Sequence, residues 1–105
     1  MRITIAHNRT KQEVKESVDR TFNEMFQGLA GLPLQVLVQQ RTWQGDVLNF
    51  ALTAKMAALS TPIKGTIEVT DHDVTMDVDL GILNRLIPEK KASEVIGKRI
   101  KGLLK

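Results

Sequence analysis

Bond chemistry in this chain would have to come from two histidines, three serines and a crowd of carboxylates on one stretch. General acid–base work needs a held, partly desolvated group. His7 follows a short alternating run and His72 falls between two aspartates of a turn, which reads both as surface residues. Ser17 lies within a helical pattern, and neither Ser60 nor Ser93 sits in a Gly-x-Ser-x-Gly elbow. No phosphate loop or dinucleotide fingerprint is present, so the sequence predicts no enzyme, no catalytic residue and no cofactor. Glu68, Asp71, Asp73, Asp77 and Asp79 crowd around His72 with no Lys or Arg between them. A calcium loop would also need Gly at its sixth position and Glu at its twelfth, and this spacing has neither, so no metal ligand is assigned.

Contact chemistry is better represented. Met56 and Leu59 in one connector, Ile82, Leu83, Leu86 and Ile87 in another, and the lone Trp43 at a turn place many large apolar side chains where loops are expected. From Arg85 onward seven Lys or Arg face only Glu89 and Glu94, a net of +5 that leaves the first 84 residues at −2. An apolar connector followed by a basic amphipathic helix resembles an interfacial segment, with Lys91, Lys98 and Lys101 on its basic face. That helix has no interleaved aromatic residues for stacking on bases, so no nucleic-acid partner is expected. The competing reading buries the apolar connectors at the open ends of the sheet or in a homodimer.

The elements that must carry these residues follow from period and punctuation. At 105 residues, 42% hydrophobic and 26% charged, the chain suits a single domain, 1–105, with one core. It has no cysteine, hence no disulfide or thiol chemistry. Its start lacks the apolar core of a signal peptide and no run approaches the ~18 apolar residues of a spanning helix, which points to the cytoplasm. Arg2 to Ala6 alternate as a short strand with Ile3 and Ile5 inward. Thr10 and Glu13 have capping-box spacing, and Val14, Val18, Phe22, Met25, Phe26 and Leu29 recur at helical intervals until Gly28, Gly31 and Pro33. Lys11, Lys15, Glu16, Asp19, Arg20 and Glu24 take the opposite face.

Two hairpins come next. With Leu34, Val36 and Val38 on the same face as Leu48, Phe50 and Leu52, parity requires an odd loop, met by Trp43-Gln44-Gly45; Val38 then lies opposite Phe50 and Val36 opposite Leu52. In the second hairpin an even loop at Asp71-His72 pairs Val69 with Val74, Ile67 with Met76 and Lys64 with Asp79. Residues 55–61 fit a strand extension, a loop or a lip. A last helix starts after Pro88, buries Ala92, Val95, Ile96, Ile100 and Leu103, and carries Gly97 and Gly102 at a cost of ~1 kcal/mol each. The expected fold class is α+β: a four- to five-stranded antiparallel sheet with two helices on one face, in the order β-α-β-β-β-β-α.

Trp43-x-Gly45-Asp46, the alternating strand through Phe50, Pro62-Ile63-x-Gly65-x-Ile67-x-Val69 and Val74-x-Met76-x-Val78-x-Leu80 together resemble the bacterial polyhydroxyalkanoic acid system family, small proteins encoded near polyester synthesis and granule genes. Arg2-Ile3-Thr4-Ile5 and the capping region are similar too, so the resemblance spans nearly the whole chain. Its motifs are structural and transfer no active site. The resemblance implies a cytoplasmic, non-enzymatic accessory role in polyhydroxyalkanoate metabolism, with the storage-granule surface or a granule-associated protein as partner. The alternative is a small apolar-ligand carrier with a pocket between sheet and helices, among Phe22, Phe50 and Ile96.

Overall fold

A computed structural model describes residues 1–24, 35–81, 85 and 89–103. Strand β1 (Arg2–Ala6) leads into helix α1 (Lys11–Thr21) and a 3-10 turn at Phe22–Glu24. Strands β2 (Gln35–Gln44), β3 (Val47–Met56), β4 (Leu59–Val69) and β5 (Asp73–Asp79) follow, then helix α2 (Glu89–Leu103). The five strands form one antiparallel sheet in the order β1-β5-β4-β3-β2, so α1 carries the chain from one edge of the sheet to the other. The expected α+β class, strand number and element order all hold.

Alternation decides which face is buried. Leu48, Phe50, Leu52, Ile63, Ile67, Val69, Val74, Met76 and Val78 form the inner face, and Val14, Val18, Phe22, Ile96 and Ile100 of the helical segments close over it. Ile3 and Ile5 pack at its margin. The outer face carries Thr4, Thr66, Thr75, Asn49, Asp77 and Lys64, and Asn49, Lys64, Thr66 and Asp77 help to rim a shallow depression of about 540 Å³. Helix α1 begins with the expected capping box: the Glu13 amide donates to Thr10 Oγ1 at 3.2 Å and the Thr10 amide to Glu13 Oε1 at 3.4 Å. Its apolar face is buried through Phe22; Met25, Phe26, Gly28 and Leu29 lie outside the described residues.

The second hairpin has the expected register, with Val69 opposite Val74, Ile67 opposite Met76 and Lys64 opposite Asp79. The first does not. Its loop is two residues, Gly45-Asp46, with Gly45 at φ 62 in the position where a type II′ turn requires positive φ. Val38 pairs with Leu52 and Val36 with Ala54, because Gln39 is bulged out between Val38 and Gln40. The one odd residue that parity requires is present, but it sits in the strand rather than in the turn. Residues 55–61 resolve as strand extension: Met56 pairs with Leu59 around a tight Ala57-Ala58 turn, with Ala57 at φ 54.

Helix α2 lies across β1. A Cβ on Gly97 would sit 3.8 Å from Ile3 Cγ2, an ordinary contact, and one on Gly102 would meet nothing within 4 Å. Gly102→Ala is therefore expected to stabilise the protein by up to ~1 kcal/mol through helix propensity alone, read as a higher urea midpoint.

Candidate functional site

Helix α1 clasps the turn of the first hairpin. Lys11, Lys15 and Asp19 recur every four residues and so form one row along the helix. Lys11 Nζ reaches Asp46 Oδ2 at 3.1 Å, and Lys15 Nζ lies 3.6 Å from the other carboxylate oxygen while donating to the Gly45 carbonyl at 2.8 Å. The Lys15 ammonium also stands 4.9 Å from the centre of the Trp43 ring, a cation–π distance. One turn on, Asp19 Oδ1 accepts from Trp43 Nε1 and from Arg41 Nη2, both at 2.9 Å. Trp43 is thus half-buried, with its polar edge and one face already engaged within the fold. The residues read from sequence as the helix's opposite face include this row, whose partners stand more than twenty positions away in the chain.

The clasp has a pH signature. The Lys11 hydrogen bond, helped by the charges of Lys11 and Lys15 and opposed by partial desolvation, holds the Asp46 carboxyl below its usual 3.8. The same hydrogen bond and the Asp46 charge raise Lys11 above 10.5. A carboxyl depressed in the folded state contributes stability that is present above 3.8 and lost as pH falls through its lower folded value. Asp46→Asn should therefore flatten the decline in urea midpoint below about pH 4 relative to wild type. The lysine contributes the mirror effect, present below 10.5 and lost as pH rises through its raised value.

His7 is only 8% exposed, contrary to its reading as an open strand end. Pairing of β1 with β5 brings it against the Thr70–Asp73 turn, where its amide donates to the His72 carbonyl at 2.9 Å. The Arg9 amide donates to Nδ1 at 3.1 Å, so the neutral Nε2–H tautomer donates to the Thr70 carbonyl at 2.8 Å. Both ring nitrogens are occupied by backbone, and His7 ties β1 to the turn. In the acidic hairpin, Asp73 Oδ1 accepts from Thr70 Oγ1 at 2.8 Å and Asp79 Oδ1 from the Gly81 amide at 3.0 Å. Lys11, Asp46, Glu68, Asp71 and His72 rim an open depression of about 440 Å³ at this end of the sheet. Among the described residues no group of three His, Asp or Glu side chains converges as a metal site would require.

The residues expected to make contacts fall in separate places. Leu59 is 47% exposed at the tip of the β3–β4 hairpin, opposite Met56 in the ladder. Trp43 pairs with Leu48, eight residues along β3 from Met56, hence about 26 Å away at the usual strand rise. These two cannot share one compact patch. Ile82, Leu83, Leu86 and Ile87 lie outside the described residues. Lys91, Lys98 and Lys101 are exposed on α2, and spacings of seven and three put them within one face over about 15 Å of helix. Phe22 and Phe50 are buried with ring centres 5.1 Å apart, edge to face, so their own contact takes up the space between them. Sequence reading missed the exposure of Leu37 and Val38, which comes from the place of β2 at the edge of the sheet and not from the face each side chain takes. Among the described residues no helix is long and apolar enough to cross a membrane.

No curated protein and no solved structure matches the chain. One family model does, described as "Putative polyhydroxyalkanoic acid system protein", and it matches residues 1–104. The strands, turns and capped helix that carry the resemblance are those of the structure, and the match covers nearly every residue: the chain belongs to the polyhydroxyalkanoic acid system family.

Proposed function

We propose that this protein is a non-enzymatic accessory factor of polyhydroxyalkanoate storage-granule metabolism, which works in the cytoplasm by binding the granule surface or a granule-associated protein. Membership of the polyhydroxyalkanoic acid system family is the observation that carries this reading. Leu59, exposed at a hairpin tip, and the lysine face of α2 support it as two contact elements, one apolar and one cationic. The two histidines support a non-catalytic role: His7 is held by backbone on both ring nitrogens, and His72 is exposed at a turn. The sequence also assigns Met56, Ile82, Leu83, Leu86 and Ile87 to the contact surface.

Sedimentation with isolated granules tests the reading. The protein is expected in the pellet at low salt, with less bound at 1 M salt, where charge contacts are screened to about 3 Å. Replacing Lys91, Lys98 and Lys101 together by Glu should lower low-salt binding several-fold. Protein that remains in solution at both salt concentrations contradicts the proposal.

A further inference from the structure

Among the described residues the edge strand β2 is unguarded where it should be most protected. Natural sheet edges carry lysines, prolines or inward charges that stop them pairing with another chain. From Gln35 to Gln40 β2 has no lysine, proline or inward charge, its one irregularity being the bulge at Gln39, and Leu37 and Val38 stand 37% and 41% exposed. At the other edge β1 is short, begins with exposed Arg2 and is overlain by α2. The unguarded segment has a further property: Gln35-Val36-Leu37-Val38-Gln39 reads the same in both directions.

We infer that β2 pairs antiparallel with β2 of a second copy of this chain, about a two-fold axis through Leu37. A two-fold relating two antiparallel edge strands stands perpendicular to the sheet and sets a residue opposite itself. Centred on Leu37 it sets Leu37 opposite Leu37, Val36 opposite Val38 and Gln35 opposite Gln39. Like therefore meets like at every position, with no charge in the seam. Leu37 lies on the outer face, whereas Val36 packs against the core side, so the leucines meet on one face and the valines on the other. The axis keeps both copies' helices on one face of a continuous ten-stranded sheet. The pairing is bounded by the bulge at Gln39 on one side and by Pro33, which has no N–H to donate, on the other. This assignment stands independently of granule binding.

Sedimentation equilibrium on the intact chain tests it, with circular dichroism confirming the fold of each variant. Wild type is expected to approach twice 11.7 kDa as concentration rises through the micromolar range. Gln35 and Gln39 are exposed, so charges are tolerated there. Gln35→Lys with Gln39→Lys sets like charges opposite each other twice and should raise the dissociation constant at least tenfold. Gln35→Lys with Gln39→Glu sets opposite charges there and should restore the dimer. The chain has no native cysteine, so Leu37→Cys should oxidise to a disulfide-linked dimer, since opposed residues lie about 4.5–5.5 Å apart across an antiparallel pair. Thr42→Cys, farther along the same strand, should not. A wild-type mass of 11.7 kDa at every concentration overturns the proposal, as do equal affinities for the two charge variants or crosslinking at Thr42 in preference to Leu37.

Discussion

Phe22→Ala is expected to destabilise the protein by about 3–5 kcal/mol, the range for removing a fully buried aromatic side chain. Phe22 ends the buried stripe of α1 with no exposed surface, and its ring meets Phe50 at 73°. The Arg41 guanidinium lies 5.0 Å from the ring centre, so a face of the same ring also supports the residue that pairs with Asp19. Truncation therefore opens a cavity and loosens the clasp that holds the first hairpin. A domain of this size has a total stability of roughly 5–15 kcal/mol, so the loss should be plain in urea unfolding, with the midpoint falling while the slope holds. Phe22→Leu retains most of the volume and should cost distinctly less. A loss below about 1 kcal/mol for the alanine variant would mean that the end of α1 does not belong to the core.

Gly65→Ala should be nearly as damaging, for the opposite reason. Gly65 stands between Phe50 and Val78 in the ladder, and a Cβ there would lie 2.6 Å from the Asp77 carbonyl oxygen and 2.7 Å from Phe50 Cζ. The first obstacle is backbone in the adjacent strand, and the second is a ring already held by Phe22. Neither yields cheaply, so the cost should reach about 3 kcal/mol, the upper part of the overpacking range. At the usual scaling this lowers Tm by more than ~10 °C. Adding Phe50→Leu to Gly65→Ala removes one clash and leaves the other, so the double variant should recover only part of what overpacking costs. An unchanged Tm for Gly65→Ala would show that β4 and β5 adjust freely at this point.

The second hairpin was legible in the sequence because its alternation is unbroken and its loop is even, so one register satisfied every residue from Ile63 to Leu80. The first hairpin was legible as a hairpin but not in register. Parity counts residues without saying whether the odd one sits in the turn or, as Gln39 does, in a bulge. The Thr10 capping box was readable because its bonds close within four residues. The clasp made by Lys11, Lys15 and Asp19 was hidden because its partners Asp46, Gly45 and Trp43 are distant in the chain. Burial of His7 escaped notice for the same reason, since pairing of β1 with β5 creates its surroundings. The regular spacing of Lys11, Lys15 and Asp19 was the available signal, and the opposite-charge pair Lys11 and Asp46 its complement.

On the proposed contact role the framework has a plain purpose. The ladder of β3 and β4 runs out to Met56 and Leu59 at the hairpin tip, and α2, packed on β1, carries Lys91, Lys98 and Lys101 exposed. The most direct test of contact at the granule compares wild type with Leu59→Glu for the fraction of protein recovered on isolated granules. Wild type should pellet, and the variant, with a charge at an exposed tip and an unchanged fold, should bind several-fold less; equal recovery of the two on granules, or absence of both from the pellet, would contradict the account.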